Sequence, residues 1–241
     1  MRLDKLLAHS GFGSRKEVKK FITSGLVTVN HHTEKNVGLN INPEIDSVSV
    51  MGEEIVYREF YYIMLNKPQG VVSATEDNHY KTVTDLVAVE FGHIPLFPVG
   101  RLDIDTTGLL LLTNNGNLAH QLLSPKKRVT KKYLAEIDGY INSPDIKAFE
   151  EGIDLGDFVT LPAVLKVIEE YKDSGHSFVE VEIKEGKFHQ VKRMFQALEK
   201  NVLRLHRQSM GPLELDSKLD IGAYRPLNTN EMNCLKPYGL K

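Results

Sequence analysis

The stretch from Gly100 to Gly116, GRLDIDTTGLLLLTNNG, constrains the fold more than any other part of the chain. Four consecutive leucines, Leu109 to Leu112, predict a strand that is buried on both faces and therefore lies inside a sheet. Asp103 lies shortly before this strand, between Arg101 and a Thr-Thr-Gly turn. Because burial disfavours an ionised acid, a carboxylate at the rim of a core must be held by a cation or by backbone donors. Asp103 is therefore either a structural anchor or a reactive group.

The composition is that of an ordinary folded protein with room for one large or two smaller domains. The chain has 241 residues, of which 41% are hydrophobic and 26% are charged. Its first residues lack the pattern of an export signal, and no apolar run reaches the roughly 18 residues of a membrane span. Cys234 is the single cysteine, which excludes an intramolecular disulfide and a cysteine-rich metal site. We expect a cytoplasmic protein with no membrane partner.

Positive charge is concentrated in two segments, although the formal net charge is -2. Residues 1–35 hold seven Lys or Arg and three acids, and residues 126–132 hold five Lys or Arg and no acid. Residues 36–59, in contrast, hold one basic residue and five acids. Because surface fields are local, separate basic patches can bind phosphates on a nearly neutral protein.

A helix with one apolar and one basic face is predicted near the amino terminus. Ser14 and Glu17 have the spacing of a capping box, so the helix begins there. Val18, Phe21 and Ile22 fall on one stripe at helical spacing. The opposite arc carries four basic residues, Arg15, Lys16, Lys19 and Lys20. Most such runs are solvated faces, but like charges one turn apart repel each other, and an anionic partner would offset that cost.

The segment from Arg2 to Asn30 resembles the ribosomal protein S4-like RNA-binding domain. The positions that carry the resemblance are Arg2, Leu3, Asp4, Leu6, Gly11, Ser14, Arg15, Ile22, Gly25, Val27, Val29 and Asn30. The sequence departs from that family at His31-His32, where the family often has a glycine. The resemblance implies a small α/β fold that presents a helix pair to structured RNA. It also implies RNA contacts by the basic helix face, Arg15, Lys16, Lys19 and Lys20.

The chain from Phe60 onward is predicted to form a larger domain, so that the domains are 1–59 and 60–241. Strands are predicted at 61–65, 71–72, 109–112, 133–137, 178–183 and 202–207, and helices at 118–123 and 191–198. Strands and helices are mixed without regular alternation. The pattern therefore predicts an α+β fold with a mixed, mainly antiparallel sheet and flanking helices.

The two basic residues of the helix at 191–198 lie on different sides of it. The buried stripe is formed by Val191, Met194, Phe195 and Leu198. Lys192 lies on the flank of that stripe and can reach a half-buried partner, whereas Arg193 is predicted to meet solvent or phosphate. The next strand alternates, which places Leu203, Leu205 and Arg207 on one side.

Five segments together resemble a ribosomal RNA pseudouridine synthase of the branch that carries an S4-like domain in front. They are YYIMLNKPQGVVS, FPVGRLDIDTTGLLLLTNNG, KKYLAEIDG, GKFHQVKRMF and RLHRQSMGPL, in the expected order over almost the whole chain. The resemblance implies a pseudouridine synthase domain after the S4-like domain, and isomerisation of a uridine within RNA with no cofactor. In agreement, the sequence has no Walker-type phosphate loop, no dinucleotide glycine motif and no metal-ligand cluster.

The same resemblance assigns the catalytic residues. Asp103, and not Asp105, matches the catalytic aspartate of the Arg-Leu-Asp motif. Lys192 matches the basic residue that pairs with it, and Tyr133 matches a tyrosine that would stack on the base and handle a proton. Asp103 would then attack the ribose, attack the base or stabilise an oxocarbenium-like species, and the sequence leaves all three routes open.

Further residues are predicted to bind the RNA substrate. By the same resemblance, Arg101 helps to hold the target nucleotide out of its stack, and Leu205 forms the apolar wall of the uracil pocket. The second basic segment, with Lys126, Lys127 and Arg128, is predicted to contact the RNA backbone. Such contacts matter because extruding a base from folded RNA costs roughly a few kcal/mol.

Other functions compete with this one. A glycosidase would also use carboxylates, but two acids two residues apart are not evidence for a pair that flanks a sugar. A non-catalytic RNA-binding or ribosome-assembly factor would use the basic segments equally well, yet it would gain nothing from Asp103. A synthase for large-subunit ribosomal RNA is a further alternative. The compact chain without a long basic tail favours small-subunit ribosomal RNA, and the absence of heptads favours a monomer.

Overall fold

The computed structural model describes residues 1–171, 173 and 175–240. The chain divides into two compact units. The first comprises Met1–Tyr61 and Val87–Leu96, and the second comprises Tyr62–Leu86 and the chain from Phe97 onward. The domain boundary predicted after Glu59 stays a prediction. It divides the chain only once, whereas the first unit also contains the later segment Val87–Leu96.

The first unit contains a helix pair and a small antiparallel sheet. Its elements are α1 (Leu3–His9), α2 (Arg15–Thr23), β1 (Val27–Val29), β2 (His32–Thr33), β3 (Val48–Val50) and β4 (Glu53–Glu54). The strand order is β2-β1-β3-β4, and each described pair is antiparallel. Apolar side chains of both helices share one core with β1 and β3. The sheet is short, so the helix pair supplies a large part of this core.

Helix α2 has the predicted start and the predicted two faces. The backbone N–H of Ser14 donates to the Glu17 carboxylate at 2.8 Å, and the Ser14 hydroxyl accepts from the Glu17 backbone N–H. Val18 and Ile22 are fully buried. The basic residues Arg15, Lys16, Lys19 and Lys20 are all exposed. The amphipathic helix predicted from the sequence is therefore confirmed.

The second unit is built around one large sheet. Its strands are β5 (Tyr62–Lys67), β6 (Phe97–Pro98), β7 (Thr107–Thr113), β8 (Lys131–Asp138), β9 (Val164–Tyr171), β10 (His176–Ile183), β11 (Asn201–Met210), β12 (Leu213–Glu214) and β13 (Tyr224–Pro226). Its helices are α4 (Gly116–Leu123), α5 (Ser143–Glu151), α6 (Gln190–Ala197) and α7 (Thr229–Leu235), and α3 (Val83–Phe91) begins in this unit and ends in the first. Short 3₁₀ turns occupy Pro125–Lys127 and Lys236–Tyr238. None of the described helices is long and apolar enough to span a bilayer.

The large sheet has the order β13-β5-β7-β11-β8-β10-β9, with β6 beside β7 and β12 beside β11. Among the described pairs, β7 and β11 are parallel and the others are antiparallel. The predicted α+β fold with a mixed, mainly antiparallel sheet is confirmed. Leu109 to Leu112 are buried within β7, as the apolar run predicts.

Two local predictions are wrong for identifiable reasons. The chain does not return as a strand at 71–72, where Val72 forms one isolated parallel bridge to Thr82. Strand β5 instead runs on through Asn66 and Lys67, because both residues pair with β7. Their side chains are buried and hydrogen-bonded to backbone carbonyls. Leu203 is exposed although alternation places it beside Leu205, because the pairing of β11 with β8 shifts register between Val202 and Arg204 and turns Leu203 outward.

The parallel pair β7 and β11 approaches very closely at Gly108. The φ angle of Gly108 is +104°, and a Cβ atom there would lie 2.3 Å from the carbonyl oxygen of Arg207. A glycine is therefore required at this position by both backbone conformation and space.

We expect Gly108→Ala to lower the free energy of unfolding by about 3 kcal/mol or more, because the added methyl group forces the two strands apart. Denaturant unfolding followed by circular dichroism measures this change. The matched control is Gly116→Ala at the open start of α4, where nothing lies within 4 Å of the added atom. That control is expected to change the free energy by about 1 kcal/mol or less. Equal losses in the two variants would contradict the close approach.

Candidate active site

All five residues that the sequence predicts around the reacting base line one cavity of about 90 Å³ in the second unit. Arg101 and Asp103 come from the loop before β7, Tyr133 from β8, Lys192 from α6 and Leu205 from β11. The fold thus gathers residues that lie far apart in sequence. The space has room for several water molecules, or for one small planar group.

One wall of the cavity is apolar and the mouth is charged. Tyr133 and Leu205 are each 7% exposed, on the adjacent strands β8 and β11. Arg101 is exposed at the edge of the same cavity. The cavity is therefore lined both by buried apolar side chains and by charged groups, one of which is exposed to solvent.

The structure brings Asp103 and Lys192 together, as the sequence predicts. Lys192 Nζ lies 3.4 Å from Asp103 Oδ2. The same amine lies closer to a second acid, at 2.5 Å from Asp105 Oδ1. Burial raises the pKa of Asp105, but the hydrogen bond and charge of Lys192 outweigh it, so this pKa lies below its usual value. Lys192 is thus shared between two carboxylates, which the sequence did not predict.

His189 is a second neighbour of Asp103 that sequence reasoning missed. Its Nε2 atom lies 3.5 Å from Asp103 Oδ1, whereas Lys192 contacts the other carboxylate oxygen, Oδ2. His189 adopts a left-handed backbone conformation, with φ of 48°, directly before α6. The ring of Phe188 stacks on it at 3.8 Å between centroids and is exposed to solvent. From residue types alone, the segment GKFHQ indicates only the entry to a helix.

The loop that carries Asp103 is anchored by hydrogen bonds from Lys67. This side chain is fully buried, and its Nζ donates to the carbonyl oxygens of Thr106 at 2.9 Å, Asp103 at 3.0 Å and Pro68 at 3.1 Å. Burial lowers the pKa of Lys67 to about 8, although the nearby charges of Asp105 and Asp103 oppose that shift. The sequence predicts a turn around this lysine and assigns it no role.

Three further polar side chains are buried around the cavity. Arg207 donates from Nε to the carbonyl oxygen of Leu109 at 2.8 Å, and Lys131 donates to that of Val129 at 2.8 Å. Burial, and then the charge of Arg207, lowers the pKa of Lys131 to about 8. Thr106 lies in the turn that follows Asp103, and all three side chains line the cavity.

The basic segments predicted to bind RNA lie outside the cavity. Lys126, Lys127 and Arg128 are exposed around the 3₁₀ turn after α4. The next two lysines of that segment do not extend the patch, because Lys131 is buried and Lys132 pairs with Glu180 and Glu182 on β10. The other four basic residues, Arg15, Lys16, Lys19 and Lys20, are exposed on α2 of the first unit.

Arg193 meets solvent with 27% of its side chain, as predicted, but protein partners also hold it. Its guanidinium group pairs with the carboxylate of Asp157 and donates to the carbonyl oxygen of Leu155 at 3.0 Å. The loop between α5 and β9 folds back to α6 and supplies both partners, which helical spacing alone does not reveal. Within the described residues, no group of three or more His, Cys, Asp or Glu side chains is arranged to hold a metal ion.

We expect Lys67→Met to lower the free energy of unfolding by about 2 kcal/mol at pH 7, because backbone carbonyls of the loop lose their donor. The exposed Lys126→Met is the control and is expected to change it by less than about 0.5 kcal/mol. Urea denaturation of both variants beside the wild type measures these effects. A loss in the Lys126 variant as large as that in the Lys67 variant would contradict the role of the buried amine.

The wild type and Lys67→Met together also test the lowered pKa of Lys67. In the folded protein Lys67 releases its proton near pH 8, whereas the unfolded chain holds it to about pH 10.5. Between these values the unfolded state binds more protons, so this residue makes folding more favourable as pH rises. The stability advantage of the wild type over Lys67→Met should therefore grow from pH 8 to pH 10.5. An advantage that shrinks over this range would show that the amine is not shifted downward.

Comparisons with known proteins cover both units. The family model for RNA pseudouridylate synthase matches residues 61–197, and the model for the S4 domain matches residues 1–44. The uncharacterized RNA pseudouridine synthase YtzG of Bacillus subtilis is 48% identical over 236 residues, with 98% of each chain covered. The cavity residues Asp103, Tyr133 and Lys192 fall inside the first match.

Relatives named for both ribosomal subunits match at similar identity. Ribosomal small subunit pseudouridine synthase A of Pasteurella multocida is 39% identical, over 96% of this chain and 98% of that protein. Ribosomal large subunit pseudouridine synthase B of Bacillus subtilis is 37% identical, over 98% of this chain and 95% of that protein. A crystal structure of a pseudouridylate synthase matches with a TM-score of 0.67 at 36% identity, covering 98% of this chain and 99% of that one.

Proposed function

We propose that this chain, which belongs to the RNA pseudouridylate synthase family and carries an S4 domain before its catalytic domain, converts a uridine of ribosomal RNA into pseudouridine. One observation carries the proposal. Asp103 faces a cavity with an amine 3.4 Å from one carboxylate oxygen and an imidazole 3.5 Å from the other. A plain RNA-binding protein has no use for an acid placed in this way beside an apolar, base-sized space.

The proposed reaction is an isomerisation in which the N-glycosidic bond breaks, the base turns in the cavity, and its C5 carbon joins the ribose. Asp103 is the catalytic group, and it attacks the ribose, attacks the base or stabilises an oxocarbenium-like sugar. Each route needs the carboxylate, and the amine of Lys192 lies 3.4 Å from one of its oxygens. Asp105 holds Lys192 from the more exposed side and so fixes the amine that faces Asp103.

The cavity suits a base that has been turned out of its RNA helix. Tyr133 and Leu205 offer a buried apolar surface for the faces of the ring. The exposed Arg101 lies at the edge, where the ribose and phosphates of an extruded nucleotide would pass. Since extrusion costs roughly a few kcal/mol, contacts to the backbone must supply part of the binding free energy. The exposed basic residues of α2 and of the turn after α4 are proposed to make them.

We further propose small-subunit ribosomal RNA as the substrate, recognised by a cytoplasmic monomer without a cofactor. The nearly equal identities to synthases named for the two subunits support ribosomal RNA in general, and further relatives named for the small subunit, from Vibrio vulnificus and Vibrio cholerae, support the narrower choice. The free, exposed thiol of Cys234 suits a reducing compartment. Mapping pseudouridine in both ribosomal RNAs, from cells with and without this protein, tests the choice. Loss of a site in the large-subunit RNA alone would overturn it.

We expect Asp103→Asn to slow pseudouridine formation at least about a thousandfold, because a neutral amide cannot replace the ionised acid. RNA affinity is expected to stay within about threefold, since an acid in the cavity makes no phosphate contact. Single-turnover conversion and filter binding on a ribosomal RNA fragment measure the two quantities. Asp105→Asn is the matched comparison and is expected to slow the reaction about tenfold, because Asp105 acts through Lys192. Wild-type conversion by the Asp103 variant would leave a non-catalytic RNA-binding protein as the better interpretation.

Replacing Lys126, Lys127 and Arg128 together by alanine is expected to weaken RNA binding and to flatten its salt dependence. The slope of log K against log salt should fall by about 0.7 to 0.9 for each phosphate that the variant no longer neutralises, because fewer counterions are released. Titrations at several salt concentrations measure this slope. Lys147→Ala serves as the control, since Lys147 is an exposed lysine that pairs with Glu151 on α5. An unchanged slope in the triple variant would remove this turn from the RNA interface.

A further inference from the structure

An open cleft continues the cavity beside Asp103. The cleft has a volume of about 720 Å³, against about 90 Å³ for the cavity, and Arg101, Asp103 and Lys192 line both spaces. A uridine that enters the cavity remains joined through its phosphates to the nucleotides on either side. The cavity has no room for them, whereas the cleft has the volume of an ordinary ligand site, about 300 to 1,000 Å³. The cleft is therefore the space in which a neighbouring nucleotide can lie.

Two exposed aromatic side chains of the described residues line this cleft and lie outside the cavity. Phe188, just before α6, is 73% exposed, and Tyr80, just before α3, is 54% exposed. Single exposed apolar side chains are common on protein surfaces, so exposure alone assigns no role. Here, however, both aromatics share one cleft with the cations Arg101, Lys187 and Lys192. Aromatic faces beside positive charge are the surfaces on which unpaired nucleotides bind.

The ring of Phe188 is already held in a stacked arrangement. It lies on the imidazole of His189, with 3.8 Å between the ring centroids and 19° between the ring planes. The imidazole covers one face of the phenyl ring, and the large exposed fraction of Phe188 leaves the other face open to solvent. His189 is fixed in a left-handed conformation, with φ of 48°, at the start of α6. Proteins keep such unfavourable backbone conformations mostly at functional sites.

The same stack leads to the proposed catalytic acid. His189 Nε2 lies 3.5 Å from Asp103 Oδ1, on the side of the imidazole ring edge. A base on the open face of Phe188 would therefore be separated from the carboxylate by two rings, Phe188 and His189. Because adjacent nucleotides share a phosphate, fixing one base at this short distance restricts where the next ribose can lie. The stack thus has the position needed to align the RNA strand with Asp103.

Tyr80 is presented to the cleft by an ordered turn. The Asp77 carboxylate accepts hydrogen bonds from the backbone N–H groups of His79 and Tyr80, each at 2.8 Å. A short acid that binds backbone groups two and three residues further on fixes the path of such a turn. The cleft therefore has two aromatic side chains, each on a segment whose backbone is constrained.

We propose that Phe188, supported by His189, is a stacking platform for the nucleotide next to the target uridine, with Tyr80 as a second aromatic contact. The inference rests on the proposed function and extends it from the target base to its neighbour in the strand. A base can lie on this ring only when it is unpaired, so the substrate is an RNA segment in which the uridine and one neighbour are both unpaired. A purine is the preferred neighbour, because it offers the ring a larger surface.

Fluorescence of 2-aminopurine tests the platform without relying on catalysis. This adenine analogue loses emission when it stacks, and it replaces the nucleotide on the 5′ side or the 3′ side of the target in a ribosomal RNA fragment. We expect the wild type to quench one of the two probes. Phe188→Leu should lose this quenching, because leucine is apolar but has no aromatic face, and Phe188→Tyr should retain it. Both variants should fold as the wild type does, since the side chain is 73% exposed.

Single-turnover kinetics test what the platform does for the reaction. Phe188→Leu is expected to raise the RNA concentration at half-maximal rate about tenfold and to keep the maximal rate within about twofold, because stacking stabilises binding. Removing the neighbouring base from the RNA should weaken the wild type equally and should add nothing to the variant. Tyr140→Leu is the matched control. It changes an aromatic residue that is 46% exposed and lies outside the cleft, so wild-type kinetics are expected.

The outcomes separate this inference from the function on which it rests. An active wild type that quenches neither probe would overturn the platform alone. The same conclusion follows if removal of the neighbouring base weakens the wild type and Phe188→Leu by the same factor, or if a preference for a purine neighbour persists in that variant. A wild type that forms no pseudouridine in either ribosomal RNA would overturn the proposed function, and the platform as a part of it.

Discussion

The buried amine of Lys67 is the interaction on which the rest of the site depends. It binds three backbone carbonyls of two segments that are distant in sequence, at the end of β5 and in the loop before β7. An irregular loop inside a domain needs such a donor, because its carbonyls have no strand partner. The amine therefore fixes the backbone of Asp103, while the carboxylate of that residue remains directed at the cavity. In this short loop the backbone carbonyls bind the buried amine, and the carboxylate of Asp103 is the group proposed to carry out the chemistry.

The electrostatics of the cavity are divided between its two ends. At one end the carboxylates of Asp103 and Asp105 share the amine of Lys192, with His189 close to the remaining oxygen. At the other end Lys131 and Arg207 are buried and donate to backbone carbonyls, and the charge of Glu185 acts on Lys131. A nucleotide has a matching division, since the sugar becomes electron-deficient and the base becomes electron-rich when they part. In the proposed reaction, this arrangement would favour the separated sugar and base over the intact nucleotide.

The sequence predicted much of this site, and the misses have physical causes. Asp103, Lys192, Tyr133 and Leu205 were predicted from motifs and their order; the structure places all four around one cavity, and their roles stay predictions. Lys67 was missed because Pro and Gly nearby indicate a turn, whereas the buried partners of the amine are known only from tertiary structure. Alternation placed Arg207 correctly on the side of Leu205 but cannot distinguish a buried cation from an exposed one. Leu203 was misplaced since a strand irregularity has no signature in residue type.

Gly108 marks the place where β7 and β11 meet as parallel neighbours, although the two strands are distant along the chain. Contacts of such long range form late in folding, because a large loop must first be closed. The loop of Asp103 precedes one of these strands, and the other strand carries Leu205 and Arg207. During synthesis, a chain that still lacks β11 has Asp103 and Tyr133 but neither Leu205 nor Arg207. The cavity beside Asp103 is therefore complete only after β11 has joined the sheet.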